Sequence, residues 1–151
     1  MEKTRLYAYI VFESNEVFPL EVVTSRLNVQ PTRTWKIGER ITPDHPTNKR
    51  ERAFTAWKYE IDKETVDSDE VLCPLLEVFQ EKTHIINELV EELKVGVRLQ
   101  LVMHIYDGNT SGLYIHPAFS QFSAAINADL DIDMYVFPYS DPEESSKLFQ
   151  S

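Results

Sequence analysis

The chain has 151 residues, a net charge of −10 and a hydrophobic fraction of 42%, which fits one folded domain with its own core. Its single cysteine, Cys73, excludes an internal disulfide framework and is typical of the reducing cytoplasm. It begins with a short charged segment and a strand pattern and has no run of about 20 apolar residues, so we expect a cytoplasmic protein without a signal peptide or a membrane span.

Alternating and helical apolar patterns predict a strand, a helix, a loop and a second strand in the first half of the chain. Residues 5–12 alternate between aliphatic and polar or aromatic side chains, which predicts a strand. Pro19 can open a helix, because a proline in the first helical turn loses no hydrogen bond. Pro31 starts a loop, whose proline-rich and charged part at 38–52 is the segment that we expect to be most mobile. A second strand is predicted at 53–61, where Trp57, Tyr59 and Ile61 share one face.

The middle of the chain predicts helices followed by a strand. Residues 69–93 carry two apolar stripes at helical spacing, and the phase slips at 81–84, which indicates a kink or two consecutive helices. Pro74 is compatible with this pattern only if it lies in a first turn. Residues 97–106 alternate most regularly and predict a strand.

The last part of the chain predicts a turn, a helix and a final strand. Residues 107–112 are typical of a turn, and GLYI at 112–115 is expected to pair back as a short strand. Pro117 opens a helical segment, and residues 130–136 alternate as a strand.

These elements predict the α+β class: a single layer of mainly antiparallel sheet with four or five strands, and helices packed on one face. We expect one domain at 1–138 and a polar, loose tail at 139–151. Segments 19–29 and 117–128 both open on proline and close near asparagine, which fits either a ferredoxin-like pseudo-duplication or a chance match.

The negative charge is concentrated in one helical region. Residues 60–93 hold eleven acidic residues and two lysines, whereas residues 33–52 hold six basic and three acidic residues. An acidic chain is a poor candidate for binding duplex nucleic acid, because neutralised phosphates supply most of that affinity. The acidic surface, represented by Glu88, Glu91 and Glu92, either attracts a basic protein partner or serves solubility alone.

A tyrosine-rich surface is predicted on the sheet. Strand alternation places five ring-bearing side chains on the side opposite the aliphatic residues: Tyr7, Tyr9, His104, Tyr106 and Tyr135. Such a surface suits contact with a partner, including a second copy of this chain. The alternative is an ordinary half-exposed sheet face.

The loop at 31–57 combines positive charge with large aromatic rings. Arg33, Trp35, Arg52 and Trp57 are candidate ligand-binding residues, because guanidinium groups over indole rings bind anions and planar ligands. In the alternative interpretation, Trp35 plugs an edge of the core and Arg52 pairs with the acidic helices.

Local patterns of catalysis and metal binding are missing from the sequence. The four histidines fall in different predicted elements without zinc-site spacing, and the four glycines are too scattered for a phosphate-binding loop. The apolar neighbours of Cys73 favour an inert thiol over a nucleophile. We therefore expect no catalytic residue, no metal and no cofactor, and favour binding over catalysis, with an acid–base pair assembled from distant residues as the open alternative.

One long run of residues suggests a family. FPLEVVTSRLNVQPTRTWKIG at 18–38 is followed by Arg52, Trp57 and GLYIHPAFSQFSAAINADLDIDMYVF at 112–137. In these residues, and above all in the motif PT-x-TW-x-x-G, the chain resembles the DUF4279 family of small, mainly bacterial proteins without an established activity. The resemblance implies one cytoplasmic α+β domain of bacterial origin and supplies no catalytic residue.

Two functions follow from these surfaces. The first is a non-catalytic protein-binding module of regulatory or immunity type, which rests on the acidic helical region and the tyrosine-rich surface. The alternative is a small-molecule or anion-binding protein, or an enzyme, that uses the Arg/Trp-rich loop at 31–57.

Overall fold

The computed structural model describes residues 2–139, so the predicted tail lies outside the described residues except for its first residue. The strands are β1 (Arg5–Ser14), β2 (Arg33–Trp35), β3 (Thr55–Lys63), β4 (Gly96–Ile105) and β5 (Leu130–Val136). The helices are α1 (Leu20–Leu27), α2 (Asp69–Phe79), α3 (Thr83–Leu93) and α4 (Pro117–Ala125), and a 3-10 turn at Gln80–Lys82 joins α2 to α3. None of the helices in this part of the chain is both long and apolar enough to cross a membrane.

The strands form one five-stranded sheet in the order β2-β3-β1-β4-β5. The central strand β1 pairs antiparallel with β3 and β4, and β2 pairs antiparallel with β3. The last pair, β4 and β5, runs parallel and is connected through α4. This mostly antiparallel sheet with its helices confirms the predicted fold class. The predicted duplication is not shown, because β3 lies between the two strands that α1 connects, whereas α4 connects neighbouring strands.

One hydrophobic core lies between the sheet and the helices. The side of the sheet that the helices cover, here called the helix face, carries alternate residues such as Ile10 of β1 and Leu101 of β4, both fully buried. The opposite side is called the open face. The open face carries Arg33, Lys58, Tyr7, Tyr9, Val11, Arg98, Gln100, His104, Asp133 and Tyr135. Period-two patterning therefore separates an apolar side from a polar and aromatic side.

The helix boundaries agree with most of the sequence signals. Pro19 precedes α1, and Asn28 ends it with a backbone φ of 55°, a left-handed conformation that asparagine tolerates better than most residues. The phase slip at 81–84 marks two consecutive helices, α2 and α3. The expectation that Pro74 lies in a first helical turn is wrong, because Pro74 lies in the second turn of α2. The helix continues past it although a proline cannot donate the usual backbone hydrogen bond.

The expected strand at 112–115 is wrong, because this segment has no regular structure. The free edge of β4 is taken by β5, which leaves no position where 112–115 can pair. The segment instead packs beside the start of α2. The Ser68 hydroxyl donates to the Tyr114 carbonyl at 3.3 Å, and the Ser111 hydroxyl donates to the Val66 carbonyl at 2.6 Å.

Candidate functional site

A closed loop brings two arginines to one tryptophan. The chain leaves β2 after Trp35 and returns through paired backbone bonds: Gly38 N–H donates to the Arg52 carbonyl at 2.9 Å, and Arg52 N–H donates to the Glu39 carbonyl at 2.7 Å. Gly38 has a φ of 88°, a conformation that glycine adopts without steric cost. The closure places Arg52 beside the edge strand. The mobility expected for 38–52 remains a prediction.

Arg33 and Arg52 both lie against the indole ring of Trp35. The guanidinium carbon of Arg52 is 4.3 Å from the ring centroid, and that of Arg33 is 5.7 Å from it. Phe54 packs edge to face on the same ring with 5.6 Å between centroids. We call Arg33, Trp35 and Arg52 the Arg/Trp cluster.

The positive charges of the Arg/Trp cluster are not neutralised within residues 2–139, where neither guanidinium forms an ion pair. The alternative interpretation, in which Arg52 pairs with the acidic helices, is therefore wrong in this respect. Burial lowers the pKa of Arg52, the charge of Arg33 lowers it further, and Glu39 partly offsets both. In the same part of the chain, the Trp35 Nε1 is buried without an acceptor. Positive charge with an unused donor is what an anionic group needs.

Trp57 does not join the Arg/Trp cluster. It is fully buried on the helix face, where its Nε1 donates to the Thr24 hydroxyl at 2.9 Å and its ring contacts Phe12 with 5.6 Å between centroids. Because side chains alternate along a strand, Trp57 points away from Arg33 and Trp35. The structure thus brings together three of the four predicted ligand-binding residues and places the fourth in the core.

Within residues 2–139, most rings of the predicted tyrosine-rich surface contact at least one other ring, and Tyr9 is the exception. The Tyr7 hydroxyl lies 2.6 Å from His104 Nδ1, and the two rings meet edge to face at 4.9 Å. The His104 ring also meets Tyr135 at 5.2 Å, and Tyr106 stacks on Phe137 at 4.4 Å. The predicted placement is confirmed for Tyr7, Tyr9, His104 and Tyr135, which the strand registers put on the open face. Tyr106 lies one residue beyond the end of β4.

A chain of polar contacts crosses the open face beside these rings. Arg98 pairs with Glu13, with 3.2 Å between Nε and Oε1, and donates to the side-chain amide oxygen Oε1 of Gln100. Gln100 Nε2 in turn donates to Asp133 at 2.7 Å. Burial raises the pKa of Tyr9, although the charge of Arg98 lowers it in part. Linked contacts of this kind hold side chains in fixed positions, so the open face is a preformed surface.

The acidic helical region is partly neutralised inside the chain. Arg26 of α1 lies 2.5 Å from Glu88 and 2.9 Å from Glu92, both on α3. His84 Nε2 lies 2.7 Å from the other oxygen of Glu88. Glu91 forms no ion pair within residues 2–139. Two of the three glutamates predicted to attract a basic partner therefore already have partners.

A third group of side chains, which local sequence patterns did not reveal, lies at the start of α2. Asp69, Cys73 and His116 each place one potential ligand atom within 4.8 Å of the other two. His116 Nε2 lies 2.9 Å from Asp69 Oδ2. Burial raises the pKa of the Cys73 thiol, and the negative charge of Asp69 raises it further. The spacing of Asp69 and Cys73, one helical turn apart, was visible in the sequence; the approach of His116, 47 residues from Asp69, was not.

A family model described as "Domain of unknown function (DUF4279)" matches residues 3–137. The chain belongs to the DUF4279 family. No curated protein and no solved structure matches it significantly. The match confirms the resemblance carried by the PT-x-TW-x-x-G motif, whose Trp35 is the centre of the Arg/Trp cluster. Because the family description gives no activity, the function of this DUF4279 domain has to be argued from its geometry.

Proposed function

We propose that this DUF4279 protein is a non-catalytic binding module that holds an acidic segment of a protein partner at the Arg/Trp cluster. The observation that carries the proposal is the placement of two guanidinium groups on one indole ring without a carboxylate partner in the described chain. Arginine binds carboxylates through two parallel hydrogen bonds. Arginine and tryptophan are also the residues that most often dominate the affinity of protein interfaces.

The shape around the Arg/Trp cluster favours a protein over a small molecule. Arg33 is exposed, and the neighbouring cleft, lined by Glu13, Ser14, Asn15 and Phe54, is a shallow surface feature of ≈ 350 Å³. Small-molecule sites usually enclose most of their ligand. A broad surface with aromatic rings and arginine is more typical of a protein interface.

The tyrosine-rich surface supports a contact that extends beyond the Arg/Trp cluster. Tyr7 and Tyr9 are half-buried and Tyr135 is exposed, and all three lie on the same face of the sheet as Arg33. Tyr106, also half-buried, stacks on Phe137 just beyond β4. One partner of ordinary interface size, about 800 Å² on each side, can touch both regions. The preformed contacts of the open face also reduce the ordering cost of binding.

Affinity capture from the native lysate tests this proposal with quantitative mass spectrometry. The bait is either the wild-type chain or the double variant Arg33→Gln, Arg52→Gln. Arg50→Gln is the matched control, because Arg50 belongs to the same loop, is exposed, and forms no ion pair within residues 2–139. We expect a partner with an acidic segment whose measured affinity falls at least tenfold in the double variant and is unchanged in the control. Equal binding by all three baits refutes the proposal.

The unpartnered indole N–H of Trp35 favours a second candidate function, the binding of a small anionic or planar ligand. Because Trp57 is fully buried, a ligand-dependent change in tryptophan fluorescence reports on Trp35. The probes are inorganic phosphate, nucleotides and dicarboxylates, with Trp35→Phe as the control that removes the reporter. A saturable change that Arg52→Gln abolishes supports this candidate, whereas flat titrations leave it without support.

Several expectations remain proposals that rest on the sequence alone. They are the bacterial origin, the cytoplasmic location and the absence of duplex nucleic-acid binding. The net charge of −10 supports the last of these, because a strongly negative chain is repelled by phosphates.

A further inference from the structure

We propose that Asp69, Cys73 and His116 form a binding site for a zinc-class divalent ion. Cys73 supplies a sulfur, His116 a nitrogen and Asp69 an oxygen, and these three atoms lie within 4.8 Å of one another. Zinc is bound in proteins by these three donor types, and sites with three protein ligands keep a fourth position for water or a ligand. The site lies on the side of the molecule that the helices occupy and uses no residue of the Arg/Trp cluster.

The donor set selects among metals. Magnesium and calcium prefer oxygen ligands alone, whereas a thiolate together with an imidazole suits zinc and similar borderline ions. Asp69 and Cys73 are one turn apart on α2 and face the same direction. His116 comes from the residue that precedes α4, so two elements supply the ligands.

Asp69 supplies a second and independent observation. Its Oδ2 contacts His116, but its Oδ1 is buried and has no hydrogen-bond partner within residues 2–139. A buried carboxylate oxygen without a partner costs free energy, which a bound cation would relieve. A small cavity of ≈ 10 Å³ adjoins the three donors. Its volume is about that of one water-sized sphere, and its apolar walls are Leu72, Leu76 and Phe119.

The same residues are poorly arranged for nucleophilic catalysis. An activated cysteine needs a hydrogen bond to its base, and no such bond joins the Cys73 thiol to His116, whose Nε2 contacts Asp69. A metal ion requires only that the three donors point to a common centre. On binding, the thiol releases its proton to solvent and the sulfur coordinates as thiolate.

The movement required for coordination is small. Ligand atoms around a tetrahedral zinc ion are roughly 3.5 Å apart, given bond lengths of about 2.0 to 2.3 Å. The donor atoms that are farthest apart, at up to 4.8 Å, must therefore approach one another by about 1 Å. The His116 side chain is 43% exposed and lies at the junction of a loop with α4, so its ring can turn without disturbing the core.

Because the chain has one cysteine, the wild-type protein gives a direct test. Chelator-treated protein is titrated with Co²⁺, and we expect a thiolate-to-cobalt charge-transfer band that one equivalent of Zn²⁺ removes. Zn²⁺ should also slow the alkylation of Cys73 by iodoacetamide, and native mass spectrometry should show one ion per chain. Absence of both the band and the protection overturns the proposal.

Variants locate the site. Cys73→Ser should abolish the cobalt band. His116→Asn should weaken Zn²⁺ affinity by at least the roughly tenfold that is lost when a residue that only hydrogen-bonds to a ligand is mutated. His84→Asn is the matched control, because His84 also lies beside a carboxylate but is far along the chain from α4. Circular dichroism checks that each variant is folded. Unchanged Zn²⁺ affinity in folded His116→Asn, or equal losses in the control, contradicts the assignment.

Discussion

The Nε1 of Trp57 donates a hydrogen bond of 2.9 Å to the hydroxyl of Thr24, which joins β3 to α1 inside the core. The Thr24 hydroxyl in turn donates to the Leu20 carbonyl at 3.5 Å within α1. Trp57 is fully buried, so no water replaces Thr24 as the acceptor. A single hydroxyl group therefore accepts from the indole N–H of Trp57, one of the largest fully buried side chains in residues 2–139.

We expect Thr24→Val to lower the free energy of unfolding by about 1 to 3 kcal/mol, because it leaves the buried indole N–H of Trp57 without an acceptor. Thr24→Ser keeps the hydroxyl and is the matched control, with a smaller loss from its missing methyl group. Urea unfolding followed by circular dichroism measures both. A Thr24→Val variant as stable as Thr24→Ser would show that the bond contributes little.

Lys94 ends α3 in a left-handed conformation with a φ of 54°. A side chain with a Cβ is strained there by about 1 to 2 kcal/mol, and glycine avoids the strain at some cost in unfolded-state entropy. We therefore expect Lys94→Gly to raise the free energy of unfolding by roughly 0.5 to 1 kcal/mol. Lys94→Ala removes the same charge but keeps the Cβ, and should give no such gain in thermal or urea unfolding.

The acidic helical region can be tested through Glu91. Reversal of Glu88 or Glu92 would also break their contacts with Arg26, whereas Glu91 is exposed and forms no ion pair within residues 2–139. If a basic partner uses this region, Glu91→Lys weakens its binding and leaves the free energy of unfolding unchanged. Glu16→Lys, an exposed reversal in a loop, is the control. Unchanged affinity in Glu91→Lys and in the triple reversal of all three glutamates would exclude this surface.

The open face should make the protein less stable in alkali. Burial raises the pKa of Tyr7 and of Tyr9. Above the ordinary tyrosine pKa of about 10, the unfolded chain loses these protons while the folded chain keeps them. The folded state then binds more protons, so its stability is fully present below about pH 10 and falls as the pH rises toward the folded pKa values.

Absorbance of the phenolate form and urea unfolding at a series of alkaline pH values measure this effect. Tyr9→Phe should remove part of the decline, because it removes one of the two groups whose pKa is raised. Titration of every tyrosine at its ordinary pKa in the folded protein would contradict the prediction.

Besides the tyrosine-rich surface predicted from the sequence, the edge strand β5 offers a second surface through which another copy of the chain can associate. Met134 and Val136 are 55% and 69% exposed on a strand that ends the sheet. Exposed apolar edge strands tend to pair with other chains, and lysine on the edge prevents it. We expect Val136→Lys to lower the self-association that light scattering detects, with Val17→Lys, also at an exposed apolar residue, as the control. A monomeric wild-type chain at all concentrations would exclude this dimer.

Local periodicity was sufficient to predict most of the elements. It gave strands in the regions of β1, β3, β4 and β5, and it even placed Trp57 on one face with Tyr59 and Ile61, which contact the core. The core position of Trp57 therefore followed from a pattern available in the sequence. The position of Trp35 on the opposite side of the sheet did not, because Trp35 lies on β2, which local patterns predicted as loop.

Contacts between segments that are distant in the chain could not be predicted from local patterns. The turn residues at 107–112 suggested a hairpin, but the partner of β4 comes from β5, beyond α4. Likewise, Arg52 reaches Trp35 only because the loop closes between them, and His116 reaches Asp69 only because the segment before α4 lies beside α2. Each of these contacts depends on the packing of distant segments.

The position of β1 in the middle of the sheet has a consequence for motion. Its residues 6–13 have antiparallel partners on both sides, so their amide protons exchange with solvent only when neighbouring strands separate. The short edge strand β2, which carries Arg33 and Trp35, has a partner strand on one side and can open by itself. The Arg/Trp cluster is thus attached to one of the least protected parts of the sheet, and a bound partner would be recorded there as a slowing of deuterium uptake.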